Sequence, residues 1–314
     1  MIFAESTPPI LGPTAVLLKK IKKIPLVYNL QDIFPDSLVL TGIGKKESIG
    51  WKIGRIIENY TYKGSNRIIT ISQDFRNNIL KKEVPDGKIT VVYNWVDENA
   101  VRDIPRAENK LFGKYNLDCS KFYVTYYGNI GLSQNMDMLL GVAEELEFTT
   151  PNIGFVLVGN GAYLDRLKKI VSEKKLNNII FLPFQPYEDI SHVFSIGNVS
   201  LVISKPGTGN GCVPSKTWSI MSALRPVLVN FDENELKDIV ERNQCGIFTK
   251  AGDKEAFKQA ILTLYNDKEL CQEYGRNGRQ FVMANLTKEV GTQKYVEVIK
   301  ETVANYAKDF RDKE

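Results

Sequence analysis

Short runs rich in Val and Ile alternate with amphipathic stretches of helical period along most of this chain, and that alternation limits the fold more than any other feature. Candidate strands cover residues 25–30, 67–72, 89–93, 122–128, 154–158, 179–182, 199–203, 226–229 and 246–249. Candidate helices fall between them at 14–23, 48–62, 74–82, 135–146, 163–174, 187–194, 215–224, 234–241 and 254–265. Many of the strands lack polar alternation, as expected when both faces of a parallel sheet are covered by helices. The reading is α/β, with doubly wound parallel sheets, and a length of 314 residues fits two domains. The polar stretch 97–114, with Pro105 and Gly113, interrupts the pattern. It divides the chain into domains at 1–105 and 106–285, with a helical end at 286–314 expected to pack back toward the first.

Composition excludes several classes of function. With 41 basic against 37 acidic residues the net charge is only +4, too little to argue for a nucleic-acid partner. No apolar run approaches the roughly 20 residues of a membrane span, and no basic-then-apolar leader is visible. The four cysteines, Cys119, Cys212, Cys245 and Cys271, form no C-x-x-C pair and read as reduced thiols of a cytoplasmic protein. His192 is the only histidine, so Ser-His-Asp hydrolysis and histidine-based metal sites have little to work with. No D-x-D triplet occurs, and no metal or bound cofactor is expected.

In doubly wound sheets ligands gather beyond the carboxyl ends of strands, and three glycine-rich turns fall there. They are Gly128-Asn129-Ile130-Gly131, Gly159-Asn160-Gly161, and the run from Ser204 and Lys205 to Gly211. Each alone reads as a tight βα turn; together they bring several backbone N–H groups to one side of one sheet. After the third turn, Pro214-Ser215-Lys216-Thr217 opens a helix. Pro214 suits a first helical turn, and the amides of Ser215, Lys216 and Thr217 beside the Lys216 ammonium suit a diphosphate. The plainer alternative is an ordinary helix start with a solvated lysine. No P-loop or G-x-G-x-x-G is present.

The ordered set of motifs resembles family 4 of the retaining glycosyltransferases, two-domain enzymes of the GT-B architecture. The resemblance rests on residues 126–131 with Gln134-Asn135, on 155–161, on 181–186, on 213–227, on Cys245-Gly246-Ile247-Phe248, and on 32–37 and 92–97 in the first domain. The nearest subgroup builds bacterial surface polysaccharides and includes colanic-acid and L-fucosamine transferases. The resemblance implies sugar transfer, with retention, from a UDP- or GDP-sugar to a glycan or polyprenyl-diphosphate-linked acceptor. The implied donor-binding residues are Gly128, Asn129, Gly131, Asn160, Phe184, Lys205, Gly211, Pro214, Ser215, Lys216 and Thr217. The implied acceptor side holds Gln31, Asp32 and Asn94, with Lys216 and Asp32 taken as catalytic. For Asp32 the plainer alternative is a helix or turn cap.

The chain departs from the family pattern at several positions. The usual Glu-x7-Glu pair falls on Gly211 and Ser219, and the usual Arg and Lys of the first turn fall near Asn129 and Gln134. A common helix-end glycine is Leu224, and Gln31 stands where many members carry a histidine. Lys216, with Lys205, is therefore expected to carry the charge stabilisation. The first domain also looks short at its start, which gives the expectation of an amino-truncated enzyme and of a second chain supplying the missing part. The basic stretch 19–23 and the segment 45–57, which mixes Lys and Arg with Trp51 and isoleucines, admit peripheral contact with the inner face of the plasma membrane. The plainer alternative is a core helix with a solvated basic face. Two other readings stand beside sugar transfer: a nucleotide-binding, non-catalytic module that works with a partner chain, and a nucleotide-sugar epimerase.

Overall fold

Four strands near the N-terminus pair as one parallel sheet in the computed structural model, which describes residues 1–40, 44–209 and 213–311. They are β1 (Ile2–Glu5), β2 (Leu26–Leu30), β3 (Arg67–Thr70) and β4 (Ile89–Val91), in the order β1-β2-β3-β4. The register pairs Phe3 with Val27, Tyr28 with Ile68, and Ile69 with Thr90. The intervening helices are α1 (Leu11–Lys22), α2 (Asp36–Leu40), α3 (Ile49–Gly64) and α4 (Gln73–Leu80). Ser48 and Ser72 start α3 and α4 by accepting the Trp51 and Phe75 amides at 3.3 and 3.0 Å, which satisfies orphan N–H groups of the first turn.

The second sheet carries β5 (Phe122–Asn129), β6 (Ile153–Asn160), β7 (Ile179–Leu182), β8 (Val199–Ile203), β9 (Val227–Phe231) and β10 (Gly246–Lys250). All are parallel, in the order β10-β9-β8-β5-β6-β7. Its helices are α5 (Lys110–Lys114), α6 (Met136–Thr149), α7 (Leu164–Lys174), α8 (Ile190–Phe194), α9 (Lys216–Ser222), α10 (Glu235–Arg242), α11 (Lys254–Asn266) and α12 (Lys268–Asn285). Strands β8 and β9 are buried along their whole length, which is why they read as mainly apolar, Val-rich runs without polar alternation. A last helix, α13 (Lys288–Arg311), belongs to the first unit. Val298, with Tyr295, packs on Val27, Ile69 and Val92, while the opposite face of that sheet packs Tyr28, Leu30 and Ile68 on Tyr62, Phe75 and Ile79.

The chain divides into residues 1–94 with 289–314 and residues 95–288. Residues 95–105, which composition assigns to the first domain, group with the second unit. The Arg102 and Ile104 amides donate to Ser191 and Ser195 hydroxyls at 3.1 and 2.9 Å. Arg225 pairs with Asp103, and Arg279 donates to the Val101 carbonyl at 3.2 Å. These hydroxyls and guanidiniums come from far along the chain, so a local polar run could not reveal them.

Candidate functional site

The second sheet changes direction between β5 and β8. The chain leaves β5 toward β6 and β7, then returns to β8 on the other side. Successive turns diverge at such a switch point and leave a crevice at the carboxyl ends of the strands. A cleft of about 430 Å³ lies there. Its walls are the end of β5 from Tyr126 to Asn129, Ser133 and Gln134 after it, Ile203 and Ser204 at the end of β8, Thr208, Phe231 at the end of β9, and Pro214, Ser215 and Lys216.

Glycines shape one rim. A Cβ on Gly159 would sit 1.9 Å from the Gly128 carbonyl oxygen, and its φ of +152° excludes an ordinary L side chain. A Cβ on Gly161 would meet the Ile130 oxygen at 2.4 Å. The two turns are laced together by Ile130 N–H to the Asn160 carbonyl at 2.8 Å and by Tyr163 N–H to the Ile130 carbonyl at 3.0 Å. Asp232 fixes the other rim, its carboxylate accepting the Gly207 and Gly209 amides at 3.0 and 2.9 Å.

Lys216 is the only Lys or Arg among the described residues that line the cleft. Its ammonium lies 3.8 Å from the Tyr126 ring centroid and donates to the Tyr127 carbonyl at 3.3 Å. No carboxylate is bonded to it among the described residues, and burial pushes its pKa down to about 7. Such an ammonium is held by a ring face and one carbonyl, and an incoming anion would restore the charged form. Ser204 adds a buried hydroxyl with no hydrogen-bond partner among the described residues. Ser204 opens the third glycine-rich turn, but nothing in the sequence signalled that its hydroxyl would line the cleft, and nothing singled out Phe231; its place as the last residue of a central strand is the signal that could have found Phe231.

The other donor-side expectations divide. Gly128, Asn129, Pro214, Ser215 and Lys216 line the cleft. Thr217 does not: its side chain is fully buried, and its amide donates to the Pro214 carbonyl at 2.9 Å. The expected trio of open amides is thereby short of one. Pro214 opens that tight turn and precedes α9, which begins at Lys216. Lys205 points to Tyr163, its ammonium 6.0 Å from the ring centroid, and does not line the cleft. Gly131 gives its amide to the Gln134 side chain at 3.0 Å, and the Asn160 side chain accepts the Gly161 amide at 2.8 Å; both hold turns in shape. Phe184 is 77% exposed after β7, free to offer a ring face to a planar group. Gly211 lies outside the described residues.

The residues from 107 to 281 match the family of glycosyl transferases group 1. The chain belongs to that family. A second match, to Glycosyltransferase Family 4, covers residues 4–100 of this group 1 chain. It is 24% identical over 306 residues to the probable glycosyltransferase WbjE of Pseudomonas aeruginosa, spanning 96% of this chain and 74% of that one. It is 27% identical over 215 residues to the putative colanic acid biosynthesis glycosyl transferase WcaI of Escherichia coli, spanning 67% of this chain and 52% of that one. Crystal structures of Anabaena Alr3699/HepE in complex with UDP and with UDP-glucose superpose with TM-scores of 0.80 and 0.77 at 18% identity, covering 95% of this chain and 78% of theirs. Both domains therefore share the GT-B type of fold, two Rossmann-like parallel-sheet units.

In this group 1 chain Leu224 adopts φ +59°, a left-handed conformation that favours glycine. Of the residues expected on the acceptor side, the Asn94 side-chain amide donates to the Gln31 side-chain carbonyl at 3.0 Å. Gln31 also reaches Asn29 at 3.2 Å, so these residues form one polar cluster. Asp32 is turned elsewhere: its carboxylate accepts the Ser37 hydroxyl at 3.0 Å, and its amide donates to Ser6. Its carboxylate is thus engaged by a side chain at the start of α2. His192 sits on α8, its carbonyl accepting Asn109 Nδ2 at 2.8 Å, and is not among the cleft residues. Among the described residues no cluster of His, Cys, Asp and Glu has the makings of a metal site, and no helix is long and apolar enough to cross a membrane.

Proposed function

We propose that this group 1 family member transfers a sugar, with retention at the anomeric carbon, from a UDP- or GDP-sugar to a glycan or polyprenyl-diphosphate-linked acceptor in cell-surface polysaccharide synthesis. The observation that carries the reading is Lys216: an ammonium with no carboxylate partner among the described residues, over an aromatic face, in a cleft edged by glycine turns. When the glycosidic bond to the diphosphate breaks, negative charge grows on the leaving oxygens. A preorganised ammonium and backbone N–H groups stabilise that charge more than they stabilise the ground state. Attack from the face the diphosphate leaves needs no strong protein base, in keeping with the absence of His, Asp and Glu from the described residues that line the cleft. Gly128, Asn129, Pro214 and Ser215 would surround the diphosphate, with Ser204 reaching the sugar side and Phe184 the base. Gln31 and Asn94 would serve the acceptor. The names of WcaI, with colanic acid, and of the HepE complexes, with UDP and UDP-glucose, support the polysaccharide context and make UDP the first donor to test. The reading places the enzyme in the cytoplasm, in peripheral contact with the inner face of the plasma membrane.

A thermal-shift series with UDP, GDP and their glucose and N-acetylglucosamine conjugates tests it. A stabilisation that saturates with one nucleotide and disappears in Lys216→Ala is expected. No shift with any of them, or an undiminished shift in the variant, would remove the cleft from the reaction. The missing Glu-x7-Glu pair favours one second reading, a nucleotide-binding module that needs a partner chain for turnover. Saturable binding without transfer to a lipid-linked acceptor would select it.

A further inference from the structure

The outer side of the α1–α3 pair is apolar where solvent would meet it. On the first helix and the residue before it, Ile10, Leu17 and Ile21 are 62%, 54% and 63% exposed; on the other, Ile49, Ile53 and Ile56 are 80%, 53% and 69% exposed, with Tyr60 at 39%. Positions 10, 14, 17, 21 and 49, 53, 56, 60 share one spacing, i, i+4, i+7, i+11, so each set forms a single helical stripe. The stripes that hold the helices in place are different ones: Gly12, Ala15 and Val16 on α1, and Gly54, Glu58, Thr61 and Tyr62 on α3. Glycines bring the pair close. A Cβ on Gly12 would lie 2.6 Å from Thr61 Cγ2, and one on Gly64 2.5 Å from Val16 Cγ1. Across the seam Lys20 Nζ donates to the Tyr60 hydroxyl at 3.3 Å and lies 5.1 Å from its ring centroid. The two stripes therefore adjoin. The expectation of a core helix with only its basic face in water does not hold for α3.

Charge selects the occupant. Segments 10–23 and 45–63 expose seven lysines, at 20, 22, 23, 45, 46, 52 and 63, against one exposed carboxylate, Glu47, which lies 3.9 Å from Lys52. The other acid of these segments, Glu58, is buried against Lys82 and Arg55. A second copy of the chain would set lysine against lysine on this face. An anionic bilayer offers both an apolar layer for isoleucines and headgroups for the ammonium rim. We propose that the outer face of α1 and α3 docks on an anionic lipid surface, Ile10, Leu17, Ile21, Ile49, Ile53 and Ile56 entering the headgroup–acyl boundary and the lysines meeting the headgroups. This deepens the peripheral-contact part of the function proposed above, and its readout is lipid and not nucleotide, so either can fail alone.

Vesicle co-sedimentation of the full chain tests it, with phosphatidylcholine alone and mixed with phosphatidylglycerol, at low and high salt. Binding to the mixed vesicles only, weakened by salt, is expected. Replacing Lys22 and Lys23 by Gln should weaken it about fivefold for each lysine, and Ile53→Glu with Ile56→Glu should abolish it. Both variants replace exposed side chains, and an unchanged melting temperature and UDP shift would establish that they fold. No binding to either vesicle, equal binding to both, or retention in the folded Ile53→Glu/Ile56→Glu variant overturns the proposal. So does a dimer in light scattering that this variant dissolves, which would assign the face to protein.

Discussion

Replacing Lys216 by Met is expected to stabilise the ligand-free protein and to erase its response to nucleotide diphosphate. An unfolded lysine titrates at 10.5, and burial in the cleft brings Lys216 to about 7. Between those values the unfolded chain holds a proton that the folded site releases, so wild-type stability rises with pH from 7 to 10.5. At about 1.4 kcal/mol per pH unit the gap corresponds to an upper bound of about 4 kcal/mol at neutral pH. The Tyr126 face and the Tyr127 carbonyl, at 3.8 and 3.3 Å, return about 1–2 kcal/mol of it. Met fills a similar volume without the charge, so the variant should gain about 2 kcal/mol at pH 7 and less than about 1 kcal/mol at pH 10. For a domain of this size that is roughly 4–8 °C at neutral pH. Scanning calorimetry at the two pH values, with and without UDP, reads both effects. A variant that melts below the wild type at pH 7, or a gain that does not shrink with pH, refutes the desolvation argument. A retained UDP shift refutes the binding role.

Two further substitutions probe other parts of the molecule. Glu58 accepts from Lys82 at 2.8 Å and from the Tyr62 hydroxyl at 2.7 Å, and pairs with Arg55; Glu58→Ala should cost about 3 kcal/mol by leaving the Arg55 guanidinium without its carboxylate while Lys82 keeps Asp36 at 2.7 Å, and urea denaturation showing a loss under about 1 kcal/mol contradicts that. Lys205 holds its loop through its amide, which donates to the Ser133 carbonyl at 2.7 Å, so Lys205→Ala should change UDP affinity by less than about threefold while Lys216→Ala exceeds tenfold; equal losses by titration calorimetry would restore Lys205 to the donor site.

Elements buried on both faces were the most legible. Strand β8, buried throughout, runs over the same residues that its apolar content indicates, because nothing in a covered strand needs to alternate. Strand β1 escaped notice: it is four residues long, lies at the sheet edge and alternates in burial, too little to show a period. Helices α2 and α5, of five residues each, are too short for a 3.6-residue repeat. At the site, the glycine turns and Lys216 could be read because backbone approach and a charge beside a strand end are local signals. The fates of Thr217 and Lys205 could not, since one turn of rotation at a helix start and the pull of Tyr163 are decided in three dimensions. The isoleucine spacing of α3 was visible, but periodicity says which residues share a face and not whether that face looks inward.

The placement of Val298 against Val27, Ile69 and Val92 bears on the order of events at the ribosome. The early strands emerge long before the helix that closes over them, and the whole of residues 95–288 is made in between. During that interval one apolar wall of the opening sheet waits uncovered, a candidate for chaperone capture or misassociation. A stop codon or protease cut near residue 289 would act as a lesion at positions 27 and 69, although nothing there had been altered.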